Sequence, residues 1–361
     1  MKIAILGAGA GGSSAAVELS QNGHHVRLWN RSAAGLAGFR ASKGIQYAGV
    51  LGNGLMPVEV ITTELSTAIE NADVLVICLP TLAHAALARA LVDIKVVNIP
   101  TILNPGHTGG ALEFSQVFRA QGYPPPPIAE FSTLTYVARK SSPERVVTTG
   151  RAKRVRVAAM PGGGAALDLS CLLYDCAKPA DNVLVTSLCN VNMVLHPPGA
   201  ILGAAWVEAK VGNFTFYVEG LTDGVARVME CLDLERRAVG RGLGLDLPPL
   251  FEEMQAIGTI EANVDEASGL AAAIRGGVAN RAIKAPDGFM HRYFQEDFWY
   301  GLEPFLALAA IAEVDTPTAR SLMHLGVAAV GPMAPTRRRT ALEMGIAGFD
   351  KAALLSFVSA R

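Results

Sequence analysis

The sequence predicts a doubly wound α/β domain followed by an all-helical domain, and three observations carry that expectation. Short β-type runs alternate with helical ones through the first 100 residues, the pattern of βαβ units. The run 73–79 (DVLVICL) is apolar after its first residue, as in a strand covered on both faces of a parallel sheet. Beyond about Asp181 strand signals fade, and long helical stretches continue to the C-terminus. The boundary therefore falls near residue 180, giving domains of 1–180 and 181–361.

In order, residues 3–6 form a strand, glycines follow, and an Ala-rich helix runs over 13–22. Residues 25–29 and 58–62 are further strands, with a short helix over 65–70 between the latter and the strand at 73–79. A helix over 83–91 leads to a β run, 96–103, that stops at the turn Asn104-Pro105-Gly106. Four consecutive prolines within 123–127 make a stiff surface loop before the next strand. Residues 146–160 carry one or two strands, and Gly162–Gly164 open a helix expected to reach Cys176.

A chain of 361 residues that is 50% hydrophobic and 17% charged buries a sizeable core and is not a disordered segment. Its net charge of −1 supplies no basic surplus for nucleic acid or an anionic membrane. Small-molecule chemistry fits that balance better. No apolar run approaches the roughly 18 residues of a membrane span, and the run at 3–6 is too short for a leader. Five cysteines without a CxxC pair read as reduced thiols, so the cytoplasm is the expected compartment and no metal site is expected.

Gly7, Gly9 and Gly12 form GxGxxG between a strand and a helix, the context in which the motif binds a dinucleotide. The first glycine permits the tight turn, the second lets backbone approach the pyrophosphate, and the third lets helix and strand pack closely. The domain is thus of the Rossmann type. An NAD site usually has Asp or Glu at the end of the second strand, holding the ribose 2′-hydroxyl. This strand ends Leu28-Trp29-Asn30-Arg31-Ser32, with no carboxylate to repel a 2′-phosphate and a cationic fork at Arg31. NADP(H) is therefore the expected cofactor, held by Asn30, Arg31 and Ser32, with NAD(H) second. Pro80, in the strand end Leu79-Pro80-Thr81, is assigned to the same site, with His84 shortly after it. Thr108 follows the end of a later strand, where open α/β sheets bind ligands; it is either a cofactor contact or part of a turn.

Four further segments resemble the octopine/nopaline (opine) dehydrogenase family, in its compact bacterial form. They are 104–114 (NPGHTGGALEF), 186–197 (TSLCNVNMVLHP), 216–222 (FYVEGLT) and 292–297 (RYFQED). With the glycine turn they span nearly the whole chain in order. The resemblance implies reductive condensation of an amino acid with a 2-oxo acid. It also implies catalytic roles for His196, Asn192, Arg292 and Asp297.

The chemistry of those residue types agrees. Histidine titrates nearest neutrality, at about 6.5 unperturbed, so His196 is the natural proton donor. Asn192 lies four residues earlier and shares its helical face, suiting it to orient substrate. Pro197 should end or kink the helix there. Asp297 is expected to hold the His196 tautomer and raise its pKa, and Arg292 to clamp a substrate carboxylate. Tyr217 is assigned to the substrate, whereas Glu219 either lines the pocket or caps a helix. Arg337–Arg339 read as a solvated helix start, and the helical face 305–312 is either core packing or the surface of a homodimer.

Two rivals remain. A 2-dehydropantoate reductase-like or 2-hydroxyacid reductase would place a lysine at the start of the helical domain, and 181–198 contains none. A nonenzymatic dinucleotide sensor would have no use for His196, Asn192, Arg292 and Asp297 together.

Overall fold

In the computed structural model, which describes residues 1–359, the chain divides into two compact units. Of the described residues, the first comprises Met1–Gly106 and Gly110–Val183, and the second His107–Gly109 and 184–359.

The first unit holds twelve strands: β1 (Lys2–Leu6), β2 (His25–Trp29), β3 (Gly44–Gly49), β4 (Gly54–Pro57), β5 (Val60–Thr62), β6 (Val74–Ile77), β7 (Thr101–Leu103), β8 (Ile128–Phe131), β9 (Tyr136–Ser142), β10 (Arg145–Arg151), β11 (Val155–Ala159) and β12 (Ala177–Pro179). Its helices are α1 (Ala10–Gln21), α2 (Ala37–Ala41), α3 (Leu65–Ile69), α4 (His84–Asp93), α5 (Gly110–Ala120) and α6 (Gly164–Leu173).

Eight strands form one sheet in the order β12-β11-β8-β7-β6-β1-β2-β5, parallel throughout except where β11 meets β8. β1 is central, with Ile3 opposite Val26 on one side and Val74 on the other. Ile3–Leu6 and Val74–Ile77 are fully buried, which is why both runs are apolar without alternation. Strand order reverses at β1, the point where such sheets bind ligands beyond their C-terminal ends.

A second sheet, β4-β3-β10-β9, was not foreseen from the sequence. Its strands GIQYAG and YVARKSS mix glycine and polar residues and lack a clean alternation, so propensity is silent there. The tertiary setting supplies what propensity does not. The Ser14 and Thr148 hydroxyls meet at 2.8 Å, and Glu18 of α1 accepts from Tyr136 of β9 at 2.6 Å.

Several element ends differ from expectation, two of them for a clear physical reason. The β run expected over 96–103 contributes only Thr101–Leu103, because Pro100 has no amide hydrogen to give a ladder. The helix expected to reach Cys176 stops at Leu173, where Tyr174 turns extended (φ −134°, ψ 107°). That turn buries its ring edge-on against Phe131 and Tyr136, at 5.3 and 6.4 Å.

The second unit is helical: α7 (Val183–Leu188), α8 (Val191–Leu202), α9 (Ala204–Lys210), α10 (Asp223–Gly242), α11 (Leu250–Ile257), α12 (Leu270–Gly276), α13 (Arg292–Gln295), α14 (Glu303–Ile311), α15 (Pro317–Val330) and α16 (Lys351–Ser359). The long α10 starts on Thr222, whose hydroxyl accepts the Val225 amide, with Asp223 in its first turn. The buried Glu235 on α10 accepts the Thr318 and Ala319 amides, capping α15. α8 is the centre of this unit, packed by α9, α10, α11, α13 and α15. It runs on past Pro197 and Pro198, so the helix does not end there. Each proline removes a backbone bond and costs about 3 kcal/mol. The helix persists because residues 193–200 are buried on every side. Phe305, Leu308 and Ala309 are buried within the chain, so that face is core packing. No helix among the described residues is long and apolar enough to cross a membrane.

The glycine turn yields a direct test. A Cβ on Gly12 would sit 1.8 Å from the Gly7 carbonyl oxygen, whereas one on Gly9 would meet nothing within 4 Å. Gly12→Ala is expected to destabilise the protein by about 1–3 kcal/mol or more, seen as a lower thermal midpoint. Gly9→Ala should leave the midpoint within a degree or two by that reasoning, yet weaken dinucleotide affinity.

Candidate functional site

On the first unit, Gly7 takes φ +124°, and a Cβ there would lie 2.4 Å from the Cys78 carbonyl, so the turn can close only on glycine. Open space over Gly9, at the start of α1, fits a diphosphate, and no acidic residue in the first turn repels it. Arg31 and Ser32 are exposed beyond β2, and the Asn30 amide donates to the Ser32 carbonyl at 3.0 Å. Pro80 is exposed at the end of β6. His84 is fully buried, its Nε2 facing the Leu79 carbonyl at 3.2 Å, a structural bond at the start of α4.

Thr108 is not placed as a cofactor ligand. It belongs to the helical unit and is fully buried; its hydroxyl donates to the Ser187 carbonyl at 3.1 Å and accepts from the Asn190 amide at 3.2 Å. Its carbonyl accepts from Arg339 Nη1 at 2.8 Å. Its hydroxyl and carbonyl are therefore spent on structure. Arg339 corrects a second expectation: only Arg337 and Arg338 are exposed, the triplet is not helical, and Arg339 is completely buried.

The helical unit gathers a cluster from three segments. α8 supplies His196, the loop before α10 supplies Phe216 and Tyr217, and the segment from α13 supplies Arg292, Tyr293 and Asp297. His196 Nδ1 lies 2.7 Å from Asp297 Oδ2, and His196 Nε2 lies 2.7 Å from the Tyr217 hydroxyl. Tyr293 stacks on the imidazole, centroids 3.7 Å apart at 22°, and Phe216 meets it edge-on at 6.0 Å. Directly after Asp297 the backbone makes a π-turn over Phe298–Leu302, in which the Leu302 amide bonds to the Asp297 carbonyl. Such turns cluster at functional sites, and this one keeps Asp297 pointed inward.

Burial dominates the electrostatics of the cluster. Burial pushes the His196 pKa well below its usual value, and the Arg292 guanidinium pushes the same way. This corrects the expectation of a raised pKa: keeping the imidazolium out of water, with the Arg292 charge near it, sets the direction. Burial raises the Asp297 carboxyl well above the usual range, with Arg292 opposing. The two contacts match a neutral imidazole that gives Nδ1–H to Asp297 and takes the Tyr217 proton at Nε2.

Asn192, on the face of α8 that carries His196, is half-buried, and Arg292 is exposed. Glu219 is exposed and accepts the Thr215 amide at 2.6 Å, so it closes a turn rather than lining the cluster. Tyr293 was missed from the sequence. Its signal was adjacency to Arg292 inside RYFQED, but stacking partners cannot be read from spacing.

A Rossmann sheet with an open glycine turn, and a helical unit built around a buried His–Asp–Tyr cluster, define a two-domain dinucleotide-dependent oxidoreductase. Residues 179–330 match the model of the NAD/NADP octopine/nopaline dehydrogenase alpha-helical domain, and residues 2–102 match that of the NAD-dependent glycerol-3-phosphate dehydrogenase N-terminus. The chain is 31% identical over 358 residues to the opine dehydrogenase of Arthrobacter sp. (strain 1C), covering 98% of each. It is 28% identical over 183 residues to the D-nopaline dehydrogenase of Agrobacterium vitis, covering 48% of this chain and 42% of that one. In fold it matches octopine dehydrogenase with NADH and L-arginine, at a TM-score of 0.75 and 19% identity, over 99% of this chain and 98% of that one. The chain belongs to the octopine/nopaline dehydrogenase family.

Asp297→Asn keeps the shape of the cluster but offers an amide where the imidazole needs an acceptor. Turnover is expected to fall by up to about 10⁴-fold, as for a triad histidine held in the wrong tautomer, with little change in thermal midpoint. Steady-state kinetics beside a melting curve check it.

Proposed function

We propose that this protein is an NAD(P)H-dependent opine dehydrogenase, which condenses the amine of an amino acid with a 2-oxo acid and reduces the product to a secondary-amine dicarboxylate. The observation that carries this reading is the buried His196, held by Asp297 on one nitrogen and Tyr217 on the other, with the Arg292 charge beside it. In this reading residues 1–180 bind the dinucleotide and residues 181–361 bind the substrates.

The reaction needs a hydride, a proton for the departing carbinolamine oxygen, and grips for two carboxylates. A bound nicotinamide in its reduced form supplies the hydride. His196 holds and moves the proton, and Asp297 keeps its ring in one tautomer. Arg292 clamps a carboxylate through its planar fork, and Asn192 orients the substrate from the same face as His196. Tyr217 contacts substrate beside the imidazole. Gly7, Gly9 and Gly12 shape the diphosphate site.

NADP(H) is preferred, because the exposed Arg31, with Asn30 and Ser32, stands where an NAD enzyme has a carboxylate. Reduced thiols and a net charge of −1 suit the cytoplasm, and a homodimer is the proposed assembly.

NADPH oxidation is expected to require an oxo acid and an amine together, tested with pyruvate, 2-oxoglutarate or glyoxylate against a panel of amino acids. Oxidation with the oxo acid alone would instead mark a hydroxyacid or ketopantoate-type reductase. His196→Ala should lower turnover by roughly two to four decades while leaving NADPH affinity unchanged, measured by fluorescence titration. Arg31→Ala should raise the KM for NADPH about tenfold or more and barely touch that for NADH, given the ~1.5–3 kcal/mol of a charge-assisted bond. Initial rates showing several-hundred-fold preference for NADH in the wild type would sink the NADP assignment.

A further inference from the structure

We infer that Tyr217 is a catalytic residue, relaying the proton between His196 Nε2 and the substrate, an inference that rests on the proposed condensing reaction. His196 is only 2% exposed, and both its ring nitrogens are engaged, Nδ1 by Asp297 and Nε2 by the Tyr217 hydroxyl at 2.7 Å. Its ring face is closed by Tyr293 stacked at 3.7 Å, and Phe216 lies against its edge. A proton on Nε2 therefore has one hydrogen-bonded exit, the Tyr217 oxygen. A hydroxyl suits that post, because it accepts one proton while giving up another.

The phenol is itself held in place. Its ring packs edge-on against Phe216 at 5.0 Å and 89°. Burial raises its pKa well above the usual value, Tyr293 raises it further, and Arg292 pulls it back. Tyr217 thus stays protonated and passes protons in a concerted step, without standing as a phenolate. The groups facing the pair are Asp297, Arg292, Tyr293 and Phe216.

In the condensing direction the Nε2 proton of the His196 imidazolium passes to the Tyr217 oxygen. The original Tyr217 proton passes at the same time to the carbinolamine hydroxyl. The C–O bond breaks, water leaves, and the nitrogen lone pair forms the C=N bond of the iminium that then accepts hydride. The phenol is regenerated, and neutral His196 is recharged along the same path, Tyr217 passing its proton to Nε2 as it takes one from water. In the oxidative direction neutral His196 draws the Tyr217 proton as Tyr217 takes one from attacking water.

Tyr217→Phe tests this, since it keeps the ring packing and removes only the hydroxyl. Expected is a fall in kcat of about 10²–10⁴, the range for one proton-transfer group, with each KM within about threefold and NADPH binding unchanged. The wild-type proton inventory in mixed light and heavy water should be curved, reporting two protons in flight, and that of the variant linear. A kcat within about threefold of wild type means substrate displaces the hydroxyl, and a rise in KM alone means a binding residue. Either overturns the relay, as does a linear wild-type inventory. The same assay with and without amine reads the condensing reaction separately, so failure of the relay is not mistaken for failure of the reaction.

Discussion

A carboxylate and an imidazole facing each other at 2.7 Å, both nearly sealed from water, set the terms for the helical unit. Neither group could stand there alone, because a lone buried charge would cost several kcal/mol. Together they need one proton between them and a frame that does not drift. The frame is α8, which carries His196 through the middle of the bundle, and the π-turn that begins at Asp297. Tyr293 on the ring face and Tyr217 on the second nitrogen leave the imidazole a single orientation.

That demand explains features of the unit that look costly in isolation. Two adjacent prolines inside α8 forfeit backbone bonds, yet the helix holds because helices pack on it from several sides. The buried Glu235 spends its carboxylate on the first amides of α15, one of the helices that pack on α8. Buried Arg236 does similar work, donating to Asp233 at 2.7 Å and to the Leu188 carbonyl at 3.2 Å, two residues before the N-cap of α8. Arg339 and the Asn190 amide both bond to Thr108, tying the 107–109 segment into the same unit. Glu235, Arg236 and Arg339 are each engaged by backbone or side-chain partners, the condition under which burial of charge is tolerable.

The nucleotide-binding unit is governed by a steric constraint instead. Gly7 and Gly12 stand where a side chain would strike backbone, and Gly9 stands where nothing does. Two glycines shape the turn, and the third leaves room for a ligand. Cys78 shares in this: its carbonyl abuts Gly7, its side chain abuts Gly12, and burial pushes its thiol up to about 12, so it serves as packing.

By itself the sequence determined the main alternation of strands and helices in the large sheet, the fading of strand signals in the helical half, and the glycine turn. It also brought His196, Asn192, Arg292 and Asp297 forward. Those features are local: periodicity, steric demands of glycine and short motifs act over a few residues. Tertiary structure alone decided the second sheet, the passage of α8 through its prolines, the structural duty of Thr108 and the burial of Arg339. It alone placed Tyr293 on the imidazole. It also reversed the expected direction of the His196 pKa. Each of these depends on what a residue is buried against, and desolvation and packing are properties of neighbours distant in the chain.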